Sequence, residues 1–386
     1  MATSSVREPK LLLSRRGFLI SSAFGLVGIS ANPTLAQLWK QAREKLYLTS
    51  INNDNGQSFI SAVDILGKVH FKIPVGARCH ATAPDPVRPN RAVIFPKRPG
   101  YISYLVDYDQ GRVLKQFNAR EGRFFYGHGT FSKDGKYLFA TENDYVAKKG
   151  VVSIWDGETM QFLGEIPSFG IGPHELTILE DGKTLVIANG GVFEHPDIGE
   201  FKGRQKLNVS DMQPSLVYVD VGSSKLLAEF RPENHFLGLR HLSARSDGLV
   251  AIAIQNEGPA DTPTPLVAFH RGEDKLKLAE APTGILRQMN HYALSVLMEP
   301  KTGITCVTCP KGNLVTFWDG ENAKFISSLT VADAGGVTLS PDKNSFLITT
   351  GAGEFLIQPV AGVKDPKPSR IMNSGNHYDN HISVAL

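Results

Sequence analysis

Residues 128–140 read His128-Gly-Thr-Phe-Ser-Lys-Asp-Gly-Lys-Tyr-Leu-Phe-Ala140, and this stretch decides the fold. Two apolar runs flank an Asp-Gly pair, and Asp-Gly between alternating hydrophobic residues is a strong hairpin signal. The stretch therefore predicts two antiparallel β-strands joined by a tight turn, with a histidine at the start of the first strand.

The same unit recurs along the chain. The Asp-Gly turn returns at Asp181-Gly182 and Asp247-Gly248, and a second hairpin follows within several units, as at Trp155-Asp156-Gly157 and Trp318-Asp319-Gly320. Two hairpins per unit give four strands, which make one blade of a β-propeller, and repeats of about 40–50 residues are typical of propellers. The fold class is therefore all-β.

The two ends supply one shared blade. Residues 381–386 resemble a first strand with no continuation, whereas residues 46–49, 59–64 and 68–73 resemble later strands with no beginning. Pairing them would close the ring and leave no long open sheet edge. We predict one seven-bladed β-propeller domain over residues 37–386, built of four-stranded antiparallel blades and closed by pairing the C-terminal strand with the N-terminal strands.

Six of the eleven histidines stand just before or at the start of a predicted first strand. One further copy of the unit, between His291 and His381, has Gly336 in the histidine's place. These histidines are His80, His128, His174, His241, His291 and His381. The first strand of a propeller blade is the innermost one, so we expect all six imidazoles at one mouth of the central channel. Imidazole suits Fe, Cu and Zn, and a subset of three or four could hold one ion.

Polar residues at the expected channel mouth extend this candidate site. They are Arg78, Glu142, Asn143, Asp144, Glu175, Arg240, Asn256 and Glu257. A concave rim with imidazoles, carboxylates and guanidinium groups can bind a metal ion, an anion or a small polar ligand.

One alternative gives the histidines a structural role. Gly127-His128 followed by Trp155-Asp156 resembles the Gly-His and Trp-Asp of WD repeats, in which that histidine is a buried hydrogen-bonding strut. The pairing is complete in this unit alone. Cys306 and Cys309 have a redox or zinc spacing, but an odd offset on a strand points the two thiols to opposite faces, so we expect a buried Cys306.

The first 36 residues resemble a twin-arginine export signal. Ser14-Arg15-Arg16-Gly17-Phe18-Leu19 precedes an uncharged stretch, and Thr34-Leu35-Ala36 suits cleavage. We therefore expect a periplasmic protein, exported folded, with no stable membrane insertion after cleavage. The first 36 residues contain four basic residues and one acidic one, so the rest of the chain has 37 of each sign. No basic cluster is present, which argues against nucleic-acid binding, and we expect a monomer.

Several motifs together resemble the exported bacterial family known as domain of unknown function 1513. They are Gly127–Lys136, Ala140–Asp144, Gly170–Leu176, Ala188–Gly191, Pro214–Val217, Leu239–Leu242 and Asp379–His381. The resemblance covers nearly the whole chain after the signal. It implies a seven-bladed propeller and, because members tend to be encoded beside imelysin-like proteins, partners among periplasmic iron-uptake proteins.

Three functions remain open from the sequence. The first is a periplasmic propeller that binds a transition metal or metal complex at the histidines, in iron or metal acquisition. The second is an enzyme at the channel mouth, a metal-assisted hydrolase, a lactonase or an oxidoreductase, and no catalytic residue can be assigned to it. The third is a WD-like interaction scaffold with structural histidines.

Overall fold

Twenty-eight β-strands account for nearly all regular structure in the computed structural model, which describes residues 45–198, 205–259, 261–372 and 375–385. The predicted export signal lies outside these residues. The strands near the start are β1 (Tyr47–Asn52), β2 (Ser58–Val63), β3 (Val69–Val75), β4 (Cys79–Pro84), β5 (Arg91–Pro96), β6 (Ile102–Asp107), β7 (Arg112–Asn118), β8 (Arg123–Phe131), β9 (Tyr137–Asp144), β10 (Lys149–Asp156) and β11 (Phe162–Pro167).

The middle of the chain forms two further sheets. Their strands are β12 (Pro173–Ile178), β13 (Thr184–Asn189), β14 (Ser215–Asp220), β15 (Lys225–Phe230), β16 (Leu237–Ala244), β17 (Val250–Asn256), β18 (Val267–His270) and β19 (Lys277–Leu278). The remaining strands are β20 (Val296–Met298), β21 (Ile304–Cys309), β22 (Leu314–Asp319), β23 (Lys324–Thr330), β24 (Ala334–Leu339), β25 (Ser345–Thr350), β26 (Glu354–Pro359), β27 (Ser369–Met372) and β28 (His377–Val384).

These strands form seven antiparallel four-stranded sheets, which confirms the predicted propeller. Six blades are consecutive in sequence: the first is β4–β7, the second β8–β11, the third β12–β15, the fourth β16–β19, the fifth β20–β23 and the sixth β24–β27. The seventh blade has the order β28-β1-β2-β3. Neighbouring innermost strands contact one another around a closed ring.

The seventh blade closes the ring as the sequence predicted. Strand β28 pairs antiparallel with β1, with Tyr47 opposite Val384. The Thr49 hydroxyl donates to the His381 carbonyl over 2.8 Å, and the Ala385 amide donates to the Leu46 carbonyl over 2.8 Å. The innermost strand of this blade therefore comes from the opposite end of the chain.

The hydrophobic core lies between the blades, because both faces of the inner three strands are covered by neighbouring sheets. The core between the first and second blades includes Phe95, Phe117, Phe125 and Trp155. Outer strands are half-exposed, and β3 alternates between partly buried and exposed residues. The turns follow the predicted chemistry: Asp134 accepts the Lys136 amide over 3.1 Å.

Within the residues that the structure describes, helical structure is confined to short connections. One α-helix, α1 (Thr283–Gln288), lies between the fourth and fifth blades. Three 3-10 turns cover Val209–Asp211, Pro310–Gly312 and Val360–Gly362. Across the described residues, no helix is both long and apolar enough to cross a membrane.

Candidate metal centre in the channel

Five of the six predicted histidines converge in the central channel. The ring of His80 lies 4.5 Å from that of His381 and 4.8 Å from that of His128, measured between centroids. The His241 ring lies 4.5 Å from the His174 ring and 4.7 Å from the His381 ring. The imidazoles therefore face one another across the channel.

Irregular strand pairing places the rings there. The innermost strands β4, β8, β12, β16 and β28 each show a register shift at or beside the histidine. A bulge of this kind bends the strand and redirects a side chain, and bulges are frequent beside functional sites. The repeated histidine is thus the position where each inner strand departs from regular pairing.

Two glycines make room for this packing. Gly127 has a φ of 109°, and a Cβ there would lie 2.7 Å from the His80 ring. Gly336, which replaces the histidine in the sixth blade, packs against β28 so closely that a Cβ would lie 2.9 Å from the backbone of His381. The sixth blade lacks a histidine because a side chain there would collide with the strand that closes the ring.

Four of the five rings form a group that could hold one metal ion. His80, His128, His241 and His381 each offer one ring nitrogen, and these four atoms lie within 4.8 Å of one another. Their buried Nε2 atoms have no hydrogen-bond partner within the described chain. Nearly all buried polar atoms in proteins have a partner, so four unpaired nitrogens in one place make this cluster a candidate site for an ion, a water molecule or another ligand.

The Glu175 carboxylate, on β12, orients two of these rings. Nδ1 of His241 lies 3.0 Å from Oε2 and Nδ1 of His128 lies 3.5 Å from Oε1, while the Leu242 amide donates to Oε2 over 2.9 Å. Because an ionised carboxylate only accepts, each Nδ1 carries the proton and each Nε2 keeps a free lone pair. Carboxylates in this position are typical of histidine–metal sites.

Ser295 serves His381 in a similar way. The serine hydroxyl donates to the Asn380 carbonyl over 2.8 Å, and its oxygen lies 3.4 Å from Nδ1 of His381. The hydroxyl proton is already used, so the serine oxygen accepts from Nδ1 and leaves Nε2 of His381 free.

The electrostatics favour the neutral form of His80, His241 and His381. Burial lowers the pKa of His80 and His381 well below the usual range, and neighbouring histidines add to the shift. Burial also lowers the pKa of His241 to about 4, against the opposing effect of Glu175. Burial of Glu175 acts to raise its pKa, but the hydrogen bonds that it accepts from His128 and His241 help to hold this pKa well below the usual value. Neutral imidazole is the form that binds metals.

His174 belongs to a neighbouring polar cluster instead. Its Nε2 lies 3.2 Å from Nη1 of Arg98, which can only donate, so this nitrogen is not available as a ligand. Arg98 also pairs with Glu194 over 2.8 Å and stacks on the Tyr126 ring at 4.9 Å. Arg98 follows β5 in the loop between the second and third strands of its blade, the kind of loop that supplied the other predicted rim residues.

His291 does not join the cluster. It lies in a turn after α1, with a φ of 58°, and Nδ2 of Asn256 lies 3.0 Å from its Nδ1. Ser295 lies beside the channel in the fifth blade, directly before β20, whose position is fixed by pairing of Val296 with Val307. Of the six inner strands expected to carry a histidine, five therefore do so, and Ser295 takes the histidine's place in the fifth blade. The seventh inner strand, in the sixth blade, carries Gly336.

Of the eight predicted rim residues, Glu175 is the one found in contact with the clustered histidines. Arg240 is fully buried and pairs with Glu257 over 2.8 Å, and Glu257 also pairs with Lys206. Arg78 forms an ion pair with Asp379. These charges lie near the channel but neutralise one another.

The other rim residues have local partners. Asn143 donates to the Glu194 carbonyl over 2.9 Å, and Asp144 lies 3.4 Å from Arg123. Asn256 holds His291, as described above. Glu142 shares a face of β9 with Leu138 and Ala140, so it points into the core between the first and second blades.

The contacts bear on the WD-like pair and on the two cysteines. Asp156 accepts the backbone amides of Glu158 and Thr159, while His128 faces the channel. His128 therefore does not form the hydrogen-bonding strut to this hairpin that the resemblance to WD repeats suggests. Cys306 and Cys309 are free, buried and in different core clusters, as their spacing predicted.

A cavity of about 350 Å³ adjoins the histidines. His241, His381 and Glu175 form part of its wall, and the remainder is built mainly of apolar side chains and hydroxyl groups from inner strands. A metal ion bound by the histidines would therefore have space beside it for a small second ligand.

Comparison with known proteins supports the fold. Hydrazine synthase from Kuenenia stuttgartiensis is similar over 84% of this chain and 95% of that chain, with 16% identity and a TM-score of 0.58. A chain in the crystal structure of a mitotic checkpoint complex is similar over 77% of this chain and 78% of its own, with 12% identity and a TM-score of 0.56. No curated protein sequence matches. Identities this low establish the shared architecture alone.

The sequence match is more specific than the structural ones. The family described as "Protein of unknown function (DUF1513)" matches residues 73–385, which include the first six blades, strand β28 of the seventh blade and all the clustered histidines. The chain belongs to this family of proteins of unknown function.

Proposed function

We propose that this protein binds one transition-metal ion, Fe, Cu or Zn, through His80, His128, His241 and His381. The observation that carries the proposal is the convergence of four ring nitrogens within 4.8 Å, with Nε2 atoms that are buried and lack partners in the described chain. An ion would supply the missing interaction to all four rings at once. Small ring rotations would bring them to the roughly 2.0–2.1 Å that imidazole–zinc bonds require.

The surrounding residues support this role. Glu175 and Ser295 hold three of the four rings in the tautomer that directs Nε2 inward. A purely structural role would not require these lone pairs to be left free. Loss of such orienting residues typically costs about 10–100-fold in metal affinity.

Metal titration of the purified protein tests the proposal. Protein stripped with a chelator should bind one equivalent of Cu, Zn or Fe, measured by elemental analysis after gel filtration. The double variant His128→Gln and His241→Gln should lose binding. His70→Gln is the matched control, because His70 is a half-exposed histidine on the outer strand β3. The proposal is wrong if the unaltered protein takes up none of the three metals, or if the double variant binds them equally well.

The cavity beside the histidines supports a second candidate, metal-assisted catalysis. A substrate in this space could reach an open coordination position, which is the arrangement of catalytic metal sites. A metal-loaded preparation that hydrolyses or oxidises a small substrate, and loses that activity in His241→Gln, would favour an enzyme over a binding protein. If the chain folds normally and binds no metal, the interaction scaffold is the one of the three functions that remains.

We also propose that the protein works in the periplasm, in metal acquisition. The twin-arginine pattern supports export, and the family resemblance supports partners among iron-uptake proteins. Fractionation of cells expressing the full chain, compared with Arg15→Lys and Arg16→Lys, tests the location. Export that is unaffected by the paired substitution would contradict this route.

A further inference from the structure

We infer that the ion held by His80, His128, His241 and His381 is monovalent copper, Cu⁺. This inference rests on the proposed metal site and narrows it to one charge. It follows from the donor atoms, from the carboxylates that are free to compensate charge, and from the burial of the site.

The donors themselves carry no charge. Each of the four histidines offers one neutral imidazole nitrogen. Glu175 is the one carboxylate that contacts these rings in the described chain, and both of its oxygens are already engaged by His128 and His241. Sites for Fe²⁺ and many catalytic Zn²⁺ sites include a carboxylate ligand, whereas imidazole alone also suits copper.

The other acidic groups near the channel are already compensated. Glu194 pairs with Arg98 over 2.8 Å. Glu257 serves two cations, Arg240 and Lys206. Neither carboxylate is left to balance an added ion.

Burial turns this charge balance into selectivity. His80, His128 and His241 are 4%, 2% and 1% exposed, so water screens the site poorly. The cost of an uncompensated charge in a buried site rises steeply with its size. Glu175 accepts from the Leu242 amide and from Nδ1 of His128 and His241, as an ionised carboxylate does. With this single negative charge, Cu⁺ makes the centre neutral, while Zn²⁺ leaves one positive charge and Fe³⁺ leaves two. Cu⁺ also accepts two, three or four imidazoles, so it does not require every ring to shift.

Competition titrations test the inference with the full protein. Under anaerobic conditions, Cu⁺ is supplied as its bicinchoninate complex, and Zn²⁺ as its complex with a chromophoric pyridylazo chelator. We expect Cu⁺ to bind about 100-fold more tightly than Zn²⁺, or more, a difference of roughly 3 kcal/mol or more. Ag⁺, with the same charge and electron configuration as Cu⁺, should compete with it.

The outcomes of these titrations distinguish this inference from the proposed function. Zn²⁺ or Fe³⁺ binding as tightly as Cu⁺ overturns the choice of ion and leaves the metal site intact. Failure to bind Cu⁺, Zn²⁺ or Fe³⁺ overturns both.

Charge variants test the physical cause. Glu175→Gln should lower Zn²⁺ affinity about tenfold more than Cu⁺ affinity. Glu175→Asp, which keeps the charge, is the matched control and should leave the ratio of the two affinities nearly unchanged. Parallel changes for both ions in Glu175→Gln would refute the charge argument.

Discussion

Replacement of Glu142 by glutamine should stabilise the protein above pH 7 and have little effect near pH 4. The Glu142 side chain is fully buried on β9, on the face that packs between the first and second blades. Burial raises its pKa from 4.5 to about 7. The folded protein therefore holds this proton more tightly than the unfolded chain does.

The size of the effect follows from that difference. Below pH 4.5 the carboxyl group is protonated in both states and costs nothing. Between pH 4.5 and 7 the stability that the proton provides is progressively lost, and above pH 7 the full cost of ionising a buried group remains. A shift of this size corresponds to about 3 kcal/mol. Glutamine is nearly isosteric and does not ionise, so it avoids the cost.

Urea unfolding at several pH values between 4 and 9 measures this directly. Trp155 lies in the same core cluster as the neighbours of Glu142, so its fluorescence reports on this interface. Glu180→Gln is the matched control, because the Glu180 side chain is 67% exposed. The reasoning is refuted if the stability difference between Glu142→Gln and the unaltered protein stays constant across the pH range.

Three further predictions concern ring closure and the metal centre. Deletion of residues 381–386 should clearly lower the melting temperature, because it removes half of the inner strand that pairs with β1; unchanged melting by differential scanning fluorimetry would contradict closure by this strand. Gly336→Val should cost about 1–3 kcal/mol in urea unfolding, because its side chain would press on the β28 backbone; Gly284→Ala on α1, where a Cβ meets nothing within 4 Å, is the control. Metal affinity should fall less than about threefold from pH 7 to pH 5.5, because burial lowers the pKa of His241 to about 4 and its ring stays neutral; a tenfold fall in a competition titration would show ligands with ordinary pKa values.

Turn chemistry and strand alternation predicted the architecture well. Asp134-Gly135 forms its turn because the aspartate accepts the Lys136 amide and the glycine adopts a φ of 66°. The assignment of the terminal strands to one blade needed only the count of four strands per unit. Local signals sufficed because each blade is a local unit whose hairpins are short.

The site was harder to predict because its geometry depends on irregular features. His291 has a suitable distance from His241 in sequence, but α1 and a turn intervene, and Ser295 is the residue that lies beside the channel. The sequence places Glu142 in a polar loop, whereas in the structure β9 extends through Asp144 and its alternation directs the Glu142 carboxylate between blades. No local pattern in the sequence identifies a bulge, which is what directs the histidines inward.

Arg98 is a site residue that the repeat pattern could have identified from the sequence. It follows β5 at the place that held the polar loops of the second, third and fourth blades. Applying the same rule to the first blade would have added it to the rim. Ser295 carried no such signal, because a serine before a short apolar strand is common.

Strand β28 is needed both to close the ring of blades and to complete the proposed metal site. It supplies the last inner strand of the ring and also His381, one of the four proposed metal ligands. During synthesis β28 emerges after all the other strands, so neither a closed ring nor a complete ligand set can form before it appears. For the proposed site, ring closure and completion of the ligand set are therefore the same event, and a chain that has not finished folding would lack the fourth ligand.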